Sequence, residues 1–173
     1  MPKPVLSALV ISFLVLAIFI GIAIAHDPSD TAHTHQLPPP WPYHMIMVFT
    51  GFLSVAGGAF TARYLKQRKG WVGLHKKLVL IGAVFILAGL SIAAYMVSVY
   101  METYFVRETH AYLGISVFAF VITTPILGMA QFRLRDKRIR TIHRWSGRIT
   151  IILMLFTIYV GVQMVLTIAR SGM

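Results

Sequence analysis

Five uncharged, mostly apolar stretches dominate the chain: Pro4 to Ala25, Tyr43 to Ala62, Leu78 to Met101, Ala111 to Phe132 and Ile149 to Ala169. Each comes close to the roughly 20 residues that a helix needs to cross a bilayer core. Lipid offers the peptide backbone no hydrogen-bond partner, so only helices and closed barrels span it, and these runs lack the strict alternation of a barrel strand. The expected fold class is therefore an all-α integral membrane protein with five transmembrane helices. The composition agrees, since 57% of the 173 residues are hydrophobic and only 12% charged, which excludes an ordinary soluble domain.

The first stretch ends in an A-x-A site at Ala23 and Ala25. Its apolar run is longer than the roughly 7 to 15 residues of a signal-peptide core, so a retained anchor is expected rather than a cleaved leader. The organisation that follows is an N-terminal anchor over residues 1–26, a polar and then proline-rich outer loop over 27–42, and a core over 43–170. Short connections predict that the last four helices form an antiparallel four-helix bundle. The chain has no cysteine, which excludes disulfides, thiolate metal ligands and covalent haem attachment.

A net charge of +11 invites a nucleic-acid reading, but the distribution of the charge argues against it. Lys3, the segment Arg63 to Lys77 and the segment Arg133 to Arg148 fall on one side of the membrane and hold fourteen of the sixteen Lys and Arg residues. Only Arg107 and Arg170 lie opposite, together with Asp27, Asp30, Glu102 and Glu108, leaving Asp136 as the single acid on the basic side. The positive-inside rule makes the basic side cytoplasmic, placing the N-terminus inside and the C-terminus outside. Membrane lipid is the expected environment, with anionic lipid or a small anionic reductant as a further use of the charge, and no nucleic acid.

Four histidines sit near the ends of the last four stretches. His44 and His110 begin helices that enter from the outer side, 66 residues apart, whereas His75 and His143 begin helices that enter from the inner side, 68 residues apart. Both inner histidines stand in an aliphatic-His-basic context, "LHK" and "IHR". This is a weak internal repeat, with the second and third stretches resembling the fourth and fifth. Helix direction then sorts the histidines into one pair per leaflet. At 1.5 Å per residue the two levels are separated by roughly 25 to 30 Å at most.

Two neutral imidazoles on facing helices are what a six-coordinate haem b iron requires, so two b haems are expected, with His44 and His110 binding one iron and His75 and His143 the other. Glycines follow the histidines at heptad spacing: His44, Gly51 and Gly58, and likewise His75, Gly82 and Gly89. A flat macrocycle needs side-chain-free surface beside it, although close helix packing is the simpler reading of such glycines taken alone. Haem carries two carboxylates, and arginine holds a carboxylate best. Arg140, Arg144 and Arg148 recur every four residues around His143, with Arg63 and Lys66 on the facing loop, as candidates at the inner level. Tyr43, Tyr112 and Arg107 are the candidates at the outer level. His26, His33 and His35, with Asp27 and Asp30, read more simply as a solvated loop than as a zinc or copper site.

Taken together, "YHMIMVFTGFLSVAGGAFTARYLK", "GWVGLHKKLVLIGAVFILAGLSI", "THAYLGISVFAFVITTPILG" and "IHRWSGRITIILMLFTIYVGV" resemble the transmembrane cytochrome b561 module, in the eukaryotic form found joined to DOMON domains. The likeness covers about Tyr43 to Met164 and rests on four histidines in register with "ARY", "LH", "HAYLG" and "HRWSGR". It implies a four-helix core with two b haems, an activity of transmembrane oxidoreductase or electron-transfer protein, and commonly ascorbate as donor with monodehydroascorbate or ferric iron as acceptor. The chain departs from that family in lacking a DOMON domain and in matching the basic ascorbate-associated stretch only loosely, through "TARYLKQRK". Ascorbate, a quinone or a protein subunit therefore remain open as redox partners, as do an outer-face partner protein and a homodimer. Two rival readings stand beside this one: a haem-bearing anchor subunit of a larger respiratory or reductase complex, and a haem-free membrane protein whose histidines are interfacial or relay protons.

Overall fold

The computed structural model describes residues 37–102 and 108–171. The first apolar stretch, the loop histidines His26, His33 and His35, and Arg107 lie outside the described residues. All secondary structure among the described residues is helical: α1 (Trp41–Tyr64), α2 (Trp71–Tyr100), α3 (Thr109–Leu134) and α4 (Lys137–Ser171). Each of the four is long and apolar enough to cross a membrane.

The helix ends follow from local chemistry. The run Pro38–Pro39–Pro40 turns into α1 through hydrogen bonds from Trp41 N to Pro38 O (3.0 Å) and from Tyr43 N to Pro40 O (3.1 Å). Pro42 sits in the first turn, where a missing N–H costs nothing. Gly70 precedes α2 at φ 81°, the left-handed conformation that glycine alone adopts freely. Between α3 and α4 the link is only Arg135 and Asp136. Arg135 stands at φ 47° as the terminating residue of α3, and Asp136 Oδ1 accepts the N–H of Arg138 at 2.7 Å, capping α4. The lone acid of the basic side is thus an N-cap.

Two helices begin well before their apolar stretches. α2 starts at Trp71 rather than Leu78, and α4 at Lys137 rather than Ile149. Charged residues end a hydrophobic run without ending a helix, so the basic turns continue the same rods beyond the apolar zone. At 1.5 Å per residue the 35 residues of α4 reach about 50 Å, well past a hydrocarbon core of about 30 Å. Consequently His75 and His143 lie one to two turns inside their helices instead of opening them.

α1 lies along α2 and α3 along α4, with much narrower seams joining α2 to α3 and α1 to α4. The pairs α1 with α3 and α2 with α4 make no backbone contact and face one another diagonally. At the α1–α2 crossing a Cβ on Gly82 would stand 2.8 Å from Gly51 O, and one on Gly51 would stand 2.9 Å from Gly82 O. Any side chain at either position would force the two backbones apart. In the middle, Ala83 and Ile86 of α2, Val117 and Val121 of α3 and Met154 of α4 form a buried cluster, joined by Phe52, Val55, Leu90 and Leu153. The outer surface is apolar as well: Leu53, Phe60, Leu80, Val84, Met129, Ile152 and Tyr159 are each more than half exposed. An apolar exterior of this extent suits lipid and fits a multi-pass membrane protein.

Candidate functional site: two diagonal histidine pairs

The four helices place their histidines in two pairs across the diagonals. His44 of α1 faces His110 of α3 with ring centroids 6.2 Å apart and planes at 88°. His75 of α2 faces His143 of α4 at 6.4 Å and 79°. The first pair is at the end away from the basic loops and the second at the basic end, because α1 and α3 run toward those loops while α2 and α4 run away from them.

Every one of the four rings is tied to a backbone carbonyl through Nδ1. His44 reaches Gly89 O at 2.8 Å, His75 reaches Gly58 O at 2.8 Å, His110 reaches Thr157 O at 3.1 Å and His143 reaches Thr124 O at 3.1 Å. A carbonyl oxygen only accepts, so Nδ1 carries a proton in each ring, and in the neutral imidazole that leaves the lone pair on Nε2. That is the tautomer of an imidazole prepared to ligate a metal, with its second nitrogen holding the ring's orientation.

A single register runs through all four bonds. The accepting residue on each helix stands 14 positions after that helix's own histidine: 44 and 58, 75 and 89, 110 and 124, 143 and 157. Each helix thus supplies one histidine at one level and one carbonyl at the other, and α1 with α2, like α3 with α4, must be antiparallel. Fourteen residues at 1.5 Å put the levels about 20 Å apart.

The structure gives the four sequence-selected glycines a packing role. Gly51, Gly58, Gly82 and Gly89 are buried in the α1–α2 seam, and a Cβ on any of them would meet the neighbouring helix at 2.6 to 2.7 Å. Gly58 and Gly89 also offer the carbonyls for His75 and His44. The glycines that lie against the imidazoles are others, Gly128 and Gly161. A Cβ on Gly161 would stand 2.7 Å from His110 Cε1, and one on Gly128 would stand 3.1 Å from His143 Cε1. Both follow their accepting threonine by four residues, one turn further along the same helix face. Sequence reasoning missed Thr124, Thr157, Gly128 and Gly161 because it followed glycine from the histidines of α1 and α2 only. Counting 14 and 18 positions from His110 and His143 finds all four.

Of the basic candidates, Arg63, Lys66, Arg140, Arg144 and Arg148 all stand at the end that holds His75 and His143, with exposed side chains. The Arg148 guanidinium stacks over Trp145, 4.9 Å from the ring centre, and Lys76 Nζ lies 4.2 Å from the centre of Phe132. At the other end Tyr112 is buried and Tyr43 is 64% exposed.

The spacing of each imidazole pair bears on whether a haem iron would fit between the rings. A metal to imidazole-nitrogen bond is about 2 Å, and that nitrogen lies about 1.1 Å from the ring centre, so two imidazoles on opposite sides of one iron have centroids about 6 Å apart. The observed 6.2 and 6.4 Å match that span, and the Nδ1 bonds leave the required nitrogens free. Comparison of the chain with protein-family models, curated proteins and solved structures finds no match.

Proposed function

We propose that this chain is a transmembrane electron conduit of the cytochrome b561 type, carrying two bis-histidine b haems, one near each membrane face. The observation that carries the reading is the pair of diagonal imidazole couples, each at the span of an axially ligated iron and each with Nδ1 committed to a carbonyl. In it, His44 and His110 hold the outer group and His75 and His143 the inner one, within an antiparallel bundle formed by the four described helices. Arg63, Lys66, Arg140, Arg144 and Arg148 offer charge-assisted bonds to propionates or to an anionic donor at the basic face, which the positive-inside rule assigns to the cytoplasm. Bound there, haem iron supplies one-electron cycling between ferric and ferrous states.

The rest of the work falls to the protein. The cluster around Ile86, Val121 and Met154 closes the space between the levels with apolar side chains. Among the described residues no Asp, Glu, Lys or Arg is buried. Such an interior keeps water and ions out of the bundle, as an electron path requires, and gives a proton relay no buried carboxylate or amine to use.

The test is a reduced-minus-oxidised visible spectrum with haem counting per chain, on wild type, His44→Ala and His143→Ala. The expected outcome is two haems per wild-type chain, with each substitution removing one. One haem in the wild type would favour the anchor-subunit reading, and a colourless protein would overturn the electron-transfer reading.

A further inference from the structure

Thr124 does more than offer its carbonyl to His143. Its Oγ1 lies 2.6 Å from Ser146 Oγ and 3.1 Å from Thr150 Oγ1, and Thr150 Oγ1 donates to Ser146 O at 2.8 Å. Each hydroxyl has one proton to give. With the Thr150 proton on the Ser146 carbonyl, the remaining directions follow: Thr124 donates to Thr150, and Ser146 donates to Thr124. Every proton is used once, and all three residues are buried, at 8%, 5% and 3% exposure. Ser146 and Thr150 follow His143 by three and seven residues, so they stand on the histidine's own face of α4. The result is a chain of hydroxyls that clamps the helix bearing the ligand to the helix bearing the ligand's hydrogen-bond acceptor.

None of the other three described histidines has this support. Counting three and seven residues on from His110 gives Leu113 and Val117, both buried and apolar. The same count gives Met47 and Gly51 after His44, and Leu78 and Gly82 after His75. Thr157, which accepts from His110, turns its hydroxyl back to Leu153 O of its own helix at 2.8 Å.

We propose that Thr124, Ser146 and Thr150 form a positioning network for His143 that makes the basic-end redox site unlike the one at the opposite end. The inference rests on the dihaem reading. The clamp fixes the distance over which His143 Nδ1–H meets the Thr124 carbonyl. That bond has the same 3.1 Å length as the one His110 makes, so the clamp acts by holding it rather than by shortening it. An Nδ1–H bond held in line sustains the anionic character of the imidazole and its donation through Nε2, which favours the ferric state. Three linked hydroxyls in a low-dielectric interior strengthen one another, whereas the buried hydroxyls of Ser116 and Thr157 near His110 each bond back to their own helix. The network's own contribution is therefore to lower the potential of the basic-end site, against the opposing effect of the basic side chains at that end.

The experiment is a redox titration of the full chain with its bound haem, combined with ferric-state electron paramagnetic resonance, on wild type, Thr150→Val, Ser146→Ala and Thr150→Ser. His44→Ala and His143→Ala, which each leave one site, assign the two potentials. Thr150→Val keeps the shape of the side chain and removes its hydroxyl, and Ser146→Ala provides an independent break should that variant fail to accumulate. Both are expected to shift the basic-end couple about tenfold toward the ferrous state, about 59 mV for one electron. The other couple should stay put, and Thr150→Ser should behave as wild type. Two haems with both potentials and both resonance signals unchanged would overturn the proposal while leaving the conduit standing. A joint shift of both potentials would also overturn it, since general loosening would then be the cause. A wild-type chain without haem would overturn the proposal and the conduit together.

Discussion

Gly161→Ala is the substitution that most directly separates a ligand-holding site from a packed helix seam. The new Cβ would lie 2.7 Å from His110 Cε1 and 3.0 Å from Nδ1, against the 3.4 Å at which ordinary contact begins, so the ring must retreat by about 0.7 Å. Metal and catalytic constellations tolerate displacements of about 0.5 Å. At Gly128 the corresponding distance is 3.1 Å, a shortfall of about 0.3 Å, which falls inside that tolerance. Neither change should unfold the chain. Alanine in place of a mid-helix glycine returns about 1 kcal/mol of helix propensity, and the overpacking it introduces costs about 1 to 3 kcal/mol. Haem counted per chain, with thermal unfolding in detergent followed in parallel, reads the two effects apart. Gly161→Ala should lose the haem of the His44–His110 level or leave it five-coordinate, with the basic-end site intact, whereas Gly128→Ala should keep both. Full occupancy and an unchanged low-spin spectrum in Gly161→Ala would refute the idea that this glycine makes room for a working ligand.

Gly51→Ala should act differently, because its Cβ would meet backbone, Gly82 O at 2.9 Å and Ile86 N at 3.0 Å; a stability loss of about 1 to 3 kcal/mol with both sites weakened together is expected, read by thermal unfolding and haem count. Imidazole planes crossing at 88° and 79° predict strongly anisotropic low-spin ferric resonances from both levels, and a compact rhombic signal from either would contradict that ring orientation. Asp136→Ala removes the acceptor of the Arg138 N–H and should cost about 0.5 to 2 kcal/mol at the start of α4, seen as faster amide exchange over its first two turns while haem content is preserved.

The end of the bundle at which each histidine stands, and its pairing, were legible in the sequence because they depend only on helix direction and on where the apolar runs end. Four of the five expected spans correspond to described helices, and the histidines pair as helix direction predicts. Helix starts were not legible. Lys76, Lys77, Arg144 and Arg148 close a hydrophobic run while the backbone goes on coiling, so His75 and His143 looked like helix openers when they stand inside their helices. For Gly51, Gly58, Gly82 and Gly89 close helix packing is the simpler reading of the heptad spacing taken alone, and the crossing of α1 with α2 agrees with it. The hydroxyls of Thr124, Ser146 and Thr150 left no mark of their own. In an apolar helix, threonine and serine usually bond back to their own backbone, as Thr61 does to Gly57 O at 2.8 Å.

The faintness of the internal repeat follows from the same geometry. Both halves must bring an imidazole to a carbonyl 14 residues along the neighbouring helix from that helix's own histidine, but they reach it by different means. In α1 and α2 the glycines let the backbones approach until Gly82 and Gly51 nearly touch, and the rings of His44 and His75 meet their carbonyls at 2.8 Å. In α3 and α4 the acceptors are Thr124 and Thr157, the rings meet them at 3.1 Å, and the space for each imidazole is made one turn further on by Gly128 and Gly161. The shared geometry therefore requires the histidines and their spacing and places no demand on the intervening residues. The close glycine crossing leaves α1 and α2 with little room to adjust. Under the dihaem proposal, the hydroxyl-bearing pair carries the side chains that would make the two levels unequal.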